Sequence, residues 1–210
     1  MARRIAALLR HGDYRQLPGA PSAHQPFPLT GTGEQQAVEA ASLLLDDMHE
    51  QDWQLHPVID SSCLLRGWQT AQLMREEYER LSGVSCEVES FSDLAERSVG
   101  SAANLTVAEI EAIVEADPRY PPLPPDWKSD SHFRLPLQGA ESLMEAGQRV
   151  AAHLDSRMAA LAGTVLVTTT DHDMASVKAT MTALEAHFDR LGLRVIDVQT
   201  MLNERAEVSA

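Results

Sequence analysis

Cysteine and long apolar runs are both scarce in this chain of 210 residues. It has only two cysteines, Cys63 and Cys86, without the spacing of metal ligands, so we expect ordinary thiols in a reducing cytoplasm. The N-terminal run "IAALL" is too short for a signal-peptide core, and no stretch approaches the length of a membrane span. These absences predict a soluble, cytoplasmic protein.

Basic residues are also few, with 17 Lys and Arg against 31 Asp and Glu and a formal net charge of -14. This excess of negative charge disfavours binding to nucleic acid or to anionic membranes, because both need a basic face. The eight histidines lack the spacing of divalent-metal ligands, so we expect neither a metal site nor a cofactor. The hydrophobic share of 44% is enough for one core, and we expect a single domain over residues 1–210.

Strand-like and helix-like segments alternate along the chain. The predicted strands are "RIAALL", "HPVIDSS", "SCEVESF", "TVLVTTT" and "LRVIDVQTML", and amphipathic segments between them predict helices. Residues 92–138 hold a weak helix and five prolines within "PRYPPLPPDW", which predicts a loop and helix insertion over the active site. Alternation of this kind predicts an α/β fold, a three-layer α/β/α sandwich around a mostly parallel sheet.

Polar residues follow three of the predicted strands at the point where each strand ends. Arg10 and His11 follow the first strand, Ser61 and Ser62 end the second, and the pair Asp171–His172 follows "TVLVTTT". Ligands bind at the carboxyl ends of parallel strands, so these residues are expected along one edge. A neutral imidazole can attack phosphorus, and arginine suits phosphate oxygens; alternatively, the histidine is a core residue and the arginine a surface ion pair.

The stretch "LLRHGDY" resembles the signature of the histidine phosphatase superfamily, the phosphoglycerate mutase-like proteins, in which Arg-His-Gly ends the first strand. Four further segments, in the same order as in the family, extend the resemblance to about residue 170: "PLTGTGEQQA", "VIDSSCLLRGWQTAQLM", "DLAERSVG" and "GAESLMEAGQRV". The resemblance implies a phosphoglycerate mutase-like fold and a cofactor-independent phosphatase with a phosphohistidine intermediate.

The resemblance also implies roles for individual residues. His11 is the nucleophile, while Arg10 and Arg66 bind the phosphate oxygens. Glu96 protonates the leaving oxygen and later activates water. Gly12 leaves space for the backbone to turn beside the bound phosphate.

The second histidine of the family is where this sequence departs from the pattern. The family segment "VLVVSHGG" aligns with "VLVTTTDHDM" so that Thr170 stands at the histidine position, and His172 follows two residues later. We expect His172 to bind the phosphoryl group. The alternative is an exposed histidine in a helix-cap region, capped by Asp171 or Asp173.

The expected substrate is a phosphorylated small molecule or a phosphoprotein. Mutases of the family carry Ser and Trp-Asn after the glycine, whereas this chain has Asp13, Tyr14 and Arg15, which favours a phosphatase. The alternatives are a non-catalytic phosphate- or phosphopeptide-binding protein on the same fold, or a mutase-like phosphotransferase. In the proline-rich segment, four residues either line the substrate mouth or pack the loop: Trp127, Lys128, His132 and Arg134.

Overall fold

The computed structural model describes residues 4–20, 24–159, 161, 164–171 and 193–197. The strands are β1 (Arg4–Arg10), β2 (Gln54–Leu55), β3 (Val58–Ser62), β4 (Glu87–Phe91), β5 (Thr164–Thr170) and β6 (Leu193–Asp197). The helices are α1 (Gly31–Glu50), α2 (Leu65–Ser82), α3 (Val107–Ala116) and α4 (Leu143–Ala159). Within the described residues, no helix is both long enough and apolar enough to cross a bilayer.

The strands form one sheet in the order β4-β3-β5-β1-β6, with β2 paired to the start of β5. Every pairing between described strands is parallel. This sheet confirms the predicted α/β class, and its parallel pairing follows from the long crossover connections between successive strands. The two-residue strand β2 was not predicted, because so short a segment carries no periodic pattern.

Strand β1 is an interior strand of the sheet, between β5 and β6, and is covered on both faces. Its alternate residues Ile5, Ala7 and Leu9 pack in the core formed with α1 and α2, while Ala6 and Leu8 pack in the core formed with α4. Successive side chains of a strand point to opposite faces, so a strand with two buried faces needs an unbroken apolar run. The run "IAALL" is therefore the sequence signature of the middle layer of a sandwich.

Capping side chains set the starts of α1 and α4. The sequence offers Thr30 and Thr32 as N-cap candidates for α1, and the structure selects Thr30, whose hydroxyl accepts a hydrogen bond from the Gly33 amide at 3.2 Å. The segment "GAESLMEAGQRVAAHLDSRMAALAG" predicts a long helix from Gly139, but helix α4 begins at Leu143. The reason is a capping box: the Ser142 hydroxyl accepts from the Glu145 amide, and the Glu145 carboxylate accepts from the Ser142 amide.

Residues 92–138 contain two short 3-10 turns and α3, whose capping box at Thr106 and Glu109 accounts for the helix that the sequence predicted there. A separate apolar cluster, centred on Trp127 and Ile110, stabilises this region. The predicted division into one domain with an insertion at about 92–138 stays a prediction. The helix predicted between β5 and β6, and the predicted stop at Gly163, lie outside the described residues.

Candidate active site

His11 directly follows β1 and lies at the carboxyl edge of the sheet. Its backbone amide donates to the Thr170 carbonyl oxygen at 3.0 Å, so the ends of β1 and β5 meet as predicted. The His11 side chain is 7% exposed, and its Nδ1 lies 2.6 Å from the Gly12 carbonyl oxygen. A carbonyl only accepts, so Nδ1 carries the proton and Nε2 holds a lone pair. That Nε2 is buried and has no hydrogen-bond partner among the described residues.

The surroundings of His11 keep its ring neutral. Burial lowers the pKa of His11 from 6.5 to about 3, and the positive charges of Arg66 and then Arg10 add to this effect, whereas the Gly12 contact opposes it. An imidazole with this pKa is a free base throughout the physiological range. His11 therefore presents an unprotonated Nε2, which is the form that a nucleophile requires.

Arg66 stands in the first turn of α2 and is fully buried. Its guanidinium carbon lies 4.4 Å above the ring of Tyr14, and its Nη1 donates to the Gln25 carbonyl oxygen at 3.4 Å. Its Nη2 makes no hydrogen bond within the part of the chain that the structure describes. A buried guanidinium with an unused N–H donor is suited to bind an anion.

Arg10 is the last residue of β1 and pairs in register with Thr170 of β5. Its Nε is buried and makes no hydrogen bond to any described residue. The charges of Arg10 and Arg66 both lower the pKa of His11, so the structure brings these three predicted residues close together.

Asp171 follows β5 directly and contributes a carboxyl group to the same site. Both side chains of the pair Asp171–Arg66 are 0% exposed, and Asp171 Oδ1 lies 3.1 Å from Arg66 Nε, although the geometry is not that of a hydrogen bond. The Ser62 hydroxyl donates to the other oxygen, Oδ2. Burial raises the pKa of Asp171 to about 7, against the lowering effect of Arg66 and Arg10. The sequence placed Asp171 at this edge of the sheet and offered it as a helix cap, but it assigned the carboxyl group no role toward the anion.

Tyr14 is a second residue that the sequence did not assign to the site. Its ring lies edge-on to the His11 ring, with 5.0 Å between the ring centroids, and its side chain is 8% exposed. Its hydroxyl is buried and has no hydrogen-bond partner among the described residues. Burial is the largest cause of its raised pKa, so the phenol keeps its proton and remains a donor.

Glu96 is buried, and its charge contributes to the raised pKa of Tyr14. Its Oε1 accepts a hydrogen bond from the Arg97 amide at 2.8 Å. The His24 ring donates from Nε2 to the Glu96 carbonyl oxygen at 3.0 Å, which ties the loop before α1 to the segment that carries the acid. Glu96 is therefore close enough to Tyr14 to affect its pKa, and the Tyr14 ring in turn contacts the His11 ring.

Gly12 is required by backbone packing. A Cβ at Gly12 would lie 2.3 Å from the Gly33 carbonyl oxygen, at the start of α1. The Gly12 amide already donates to the Thr70 hydroxyl at 3.1 Å. Its predicted role beside the phosphate stays a prediction.

The remaining predicted residues are His172 and the four residues of the proline-rich segment. Two of these four, Lys128 and His132, are exposed, and the His132 amide donates to Asp130 at 2.8 Å. His172 lies outside the described residues, so its role also stays a prediction. Trp127 packs in the apolar cluster of residues 92–138, and its indole nitrogen donates to Glu111 at 3.1 Å, which is the loop-packing alternative. Arg134 pairs with Glu145 at the surface.

Solved structures with the same fold include three bacterial and protozoan enzymes. A protein titled mycobacterial hydrolase 1 matches at a TM-score of 0.59 and 21% identity, covering 84% of this chain and 76% of that one. The mycobacterial glucosyl-3-phosphoglycerate phosphatase matches at 0.55 and 22%, with the same coverage of 84% and 76%. A phosphoserine phosphatase from Entamoeba histolytica matches at 0.55 and 21%, covering 85% and 78%. At these identities the similarity shows a shared phosphoglycerate mutase-like fold.

The sequence itself gives the assignment to a family. None of the curated proteins matches the chain significantly. The family model of the histidine phosphatase superfamily, branch 1, matches residues 6–201, a span that runs from β1 past β6. The chain belongs to the histidine phosphatase superfamily (branch 1).

Proposed function

We propose that this protein is a phosphatase that hydrolyses phosphomonoesters, of small molecules or of phosphoproteins, through a phosphohistidine on His11. The observation that carries the proposal is the state of the His11 ring. Its Nδ1 proton is held by the Gly12 carbonyl oxygen, and its Nε2 is buried, neutral and without a partner among the described residues. Arg66, which is buried, and Arg10, which is half-buried, lie in the same site, and each has an N–H donor without a partner among the described residues.

In the first step, the Nε2 lone pair of His11 attacks phosphorus while the bond from phosphorus to the ester oxygen breaks. The leaving oxygen takes a proton from the carboxyl group of Glu96. Arg10 and Arg66 donate hydrogen bonds to the phosphoryl oxygens, whose charge is redistributed in the transition state. His172 is proposed to bind the same phosphoryl group.

In the second step, the Glu96 carboxylate removes a proton from water, and the water oxygen attacks phosphorus. The bond between nitrogen and phosphorus breaks, its electron pair returns to Nε2, and inorganic phosphate leaves. Glu96 is then protonated and His11 neutral, so both residues return to their starting states. The cycle uses no metal ion and no cofactor.

The test is turnover of an aryl phosphate by the wild type, by His11→Ala and by His49→Ala as a matched control near the exposed end of α1. We expect His11→Ala to lose at least about a thousandfold in kcat, because the nucleophile is removed, and His49→Ala to keep wild-type activity. Unchanged activity in His11→Ala would overturn the proposal. Absence of turnover in the wild type would favour the phosphate-binding alternative.

Chemical trapping tests the intermediate separately. Quenching during turnover of a radiolabelled phosphate ester is expected to leave label on His11 that acid releases and alkali does not. With an aryl phosphate ester, whose leaving group departs without a proton from Glu96, Glu96→Gln is expected to accumulate more label than the wild type, since water activation is slowed in the second step. Label on any residue other than His11 would contradict the proposed route.

A further inference from the structure

The carboxyl group of Asp171 stands in the anion site, where its charge opposes phosphate binding. Its Oδ1 is 3.1 Å from Arg66 Nε, and both side chains are 0% exposed. An ionised carboxylate at this distance neutralises much of the positive charge that a phosphate needs, and it repels the phosphate directly. An acid in this position is compatible with phosphate binding when it is protonated.

The two oxygens of Asp171 differ in their contacts. The hydroxyl of Ser62 donates to Oδ2, which fixes the orientation of the carboxyl group. Oδ1 is buried and has no hydrogen-bond partner among the described residues, and the same holds for Arg66 Nε beside it. A proton on Oδ1 would create a donor next to an unused donor of Arg66, and two adjacent donors form a binding site for an oxyanion.

The topology places the residue that carries this carboxyl group at the same edge of the sheet as His11. Thr170, the residue before Asp171, pairs with Arg10 in the sheet and accepts the His11 amide hydrogen bond at 3.0 Å. Asp171 is therefore the first residue after β5, one position after Thr170, where the alignment with the family places the second histidine.

We propose that Asp171 is a phosphate-binding residue: in its protonated form it donates a hydrogen bond from Oδ1 to a phosphate oxygen, together with Arg66. This proposal rests on the phosphate site of the proposed function and adds a ligand to it. It makes anion affinity depend on the protonation of one buried carboxyl group.

Among the described residues, the groups that face Asp171 come from several separate elements. They are Arg10 of β1, the hydroxyl of Ser62 on β3, Arg66 of α2, the carbonyl oxygen of Leu94 and the phenol of Tyr14. Burial outweighs the two arginines and raises the pKa of Asp171 to about 7, so the protonated donor is available at neutral pH. A bound dianion would raise this pKa further.

Sulfate is the probe that tests the proposal, because it stays a dianion from about pH 5.5 to 8.5 and has no pKa in that range. We expect the Kd of the wild type for sulfate, measured by calorimetry, to rise about tenfold per pH unit above pH 7, as Asp171 loses its proton. Asp171→Asn keeps an N–H donor and an acceptor for Ser62 at every pH. Its Kd is expected to match that of the wild type at pH 5.5 and to stay flat to pH 8.5, both within about twofold.

Two further variants keep the experiment decisive. Asp171→Ser replaces the asparagine variant if that variant does not fold. It removes the titrating group and retains a small donor, so its Kd for sulfate is expected to be equally independent of pH. His172→Asn removes another residue proposed to bind the anion; it is expected to weaken sulfate binding at every pH but to keep the rise in Kd above pH 7 that Asp171 causes.

Three results would each overturn the proposal. The first is a pH dependence in Asp171→Asn like that of the wild type, and the second is an affinity of that variant far below wild type at every pH. The third is the absence of sulfate binding by the wild type.

The sulfate measurement requires no turnover, so it separates this proposal from the proposed function. A wild type that binds sulfate with the expected pH dependence but does not hydrolyse phosphate esters refutes the phosphatase and supports the role of Asp171. A wild type that hydrolyses aryl phosphate while Asp171→Asn keeps the pH dependence for sulfate refutes the role of Asp171 alone.

Discussion

Tyr14 illustrates how a single residue can be costly for folding and useful for function. A buried hydroxyl without a partner is unfavourable in the folded state, and the Tyr14 hydroxyl makes no hydrogen bond to any residue that the structure describes. The same ring contacts His11 edge-on and supports the Arg66 guanidinium. An unsatisfied donor among residues of a catalytic site is expected to find its partner in the substrate.

Tyr14→Phe should therefore separate stability from activity. The variant keeps both ring contacts and loses only the hydroxyl, so we expect the free energy of unfolding in urea to stay equal or to rise. The kcat/KM for an aryl phosphate is expected to fall roughly tenfold, the value of one hydrogen bond to a charged group. A variant with unchanged kcat/KM would show that the hydroxyl does not contact the substrate.

Residue positions in the site were predictable from sequence only where a local pattern determines them. Arg10 and His11 could be placed because a short apolar strand must end where they stand, and the structure does bring them beside Arg66. The contacts of Asp171 could not be predicted in this way. They join residues on three separate elements, including Ser62 and Arg66, and no spacing along the chain encodes such a juxtaposition.

At the scale of elements, the close approach of α1 to the turn that follows β1 positions His11. A Cβ on Gly33 would lie 2.0 Å from the Asp13 carbonyl oxygen, which leaves no space for any side chain. The approach is secured by the Asp13 amide, which donates to Gln36 at 2.8 Å, and by the Thr30 amide, which donates to the Asp13 carbonyl oxygen at 3.0 Å. The helix start thus holds the turn that follows His11.

Gly33→Ala is expected to destabilise the protein and to displace that turn. Because the obstructing atom belongs to the backbone, we expect the free energy of unfolding to fall by roughly 1–3 kcal/mol, together with a loss of kcat for an aryl phosphate. Gly31→Ala is the matched control in the same helical turn, since nothing lies within 4 Å of its Cβ. It should keep wild-type activity; equal effects of the two substitutions would contradict the steric explanation.

Element positions were predicted more accurately than element boundaries. Strand β5 coincides with the predicted segment "TVLVTTT", because that segment is one continuous β-prone run. Helix α3 lies within residues 92–138, where the sequence predicts a weak helix. The start of α4 was misplaced because apolar periodicity does not reveal which polar residue forms the cap. In this chain the capping box at Ser142 and Glu145 determines it.

At the scale of the whole molecule, a chain of net charge -14 binds an anion only by concentrating positive charge locally. Burying Arg66 and half-burying Arg10 achieves this, at the cost of placing ionisable groups where water cannot solvate them. His11 and Asp171 respond in opposite directions: the pKa of His11 falls to about 3, and that of Asp171 rises to about 7. Both shifts favour the neutral form, as burial requires.

These shifts make the stability of the fold depend on pH in two opposite ways. The folded pKa of His11 lies below the unfolded value of 6.5, so its contribution is full above pH 6.5 and is lost as the pH falls towards 3. The folded pKa of Asp171 lies above the unfolded value of 3.8, so its contribution is full below pH 3.8 and is lost as the pH rises through 7. Removing one group should remove one of the two dependences.

Asp171→Asn isolates the second dependence. The difference in free energy of unfolding, variant minus wild type, is expected to increase between pH 4 and pH 7 by roughly 1 kcal/mol per pH unit and to level off above pH 7. Urea denaturation at constant ionic strength measures it, and taking the difference cancels the titration of the other carboxylates. A difference that does not change with pH would show that Asp171 titrates alike in the folded and unfolded chain, and that its burial beside Arg66 does not hold the proton.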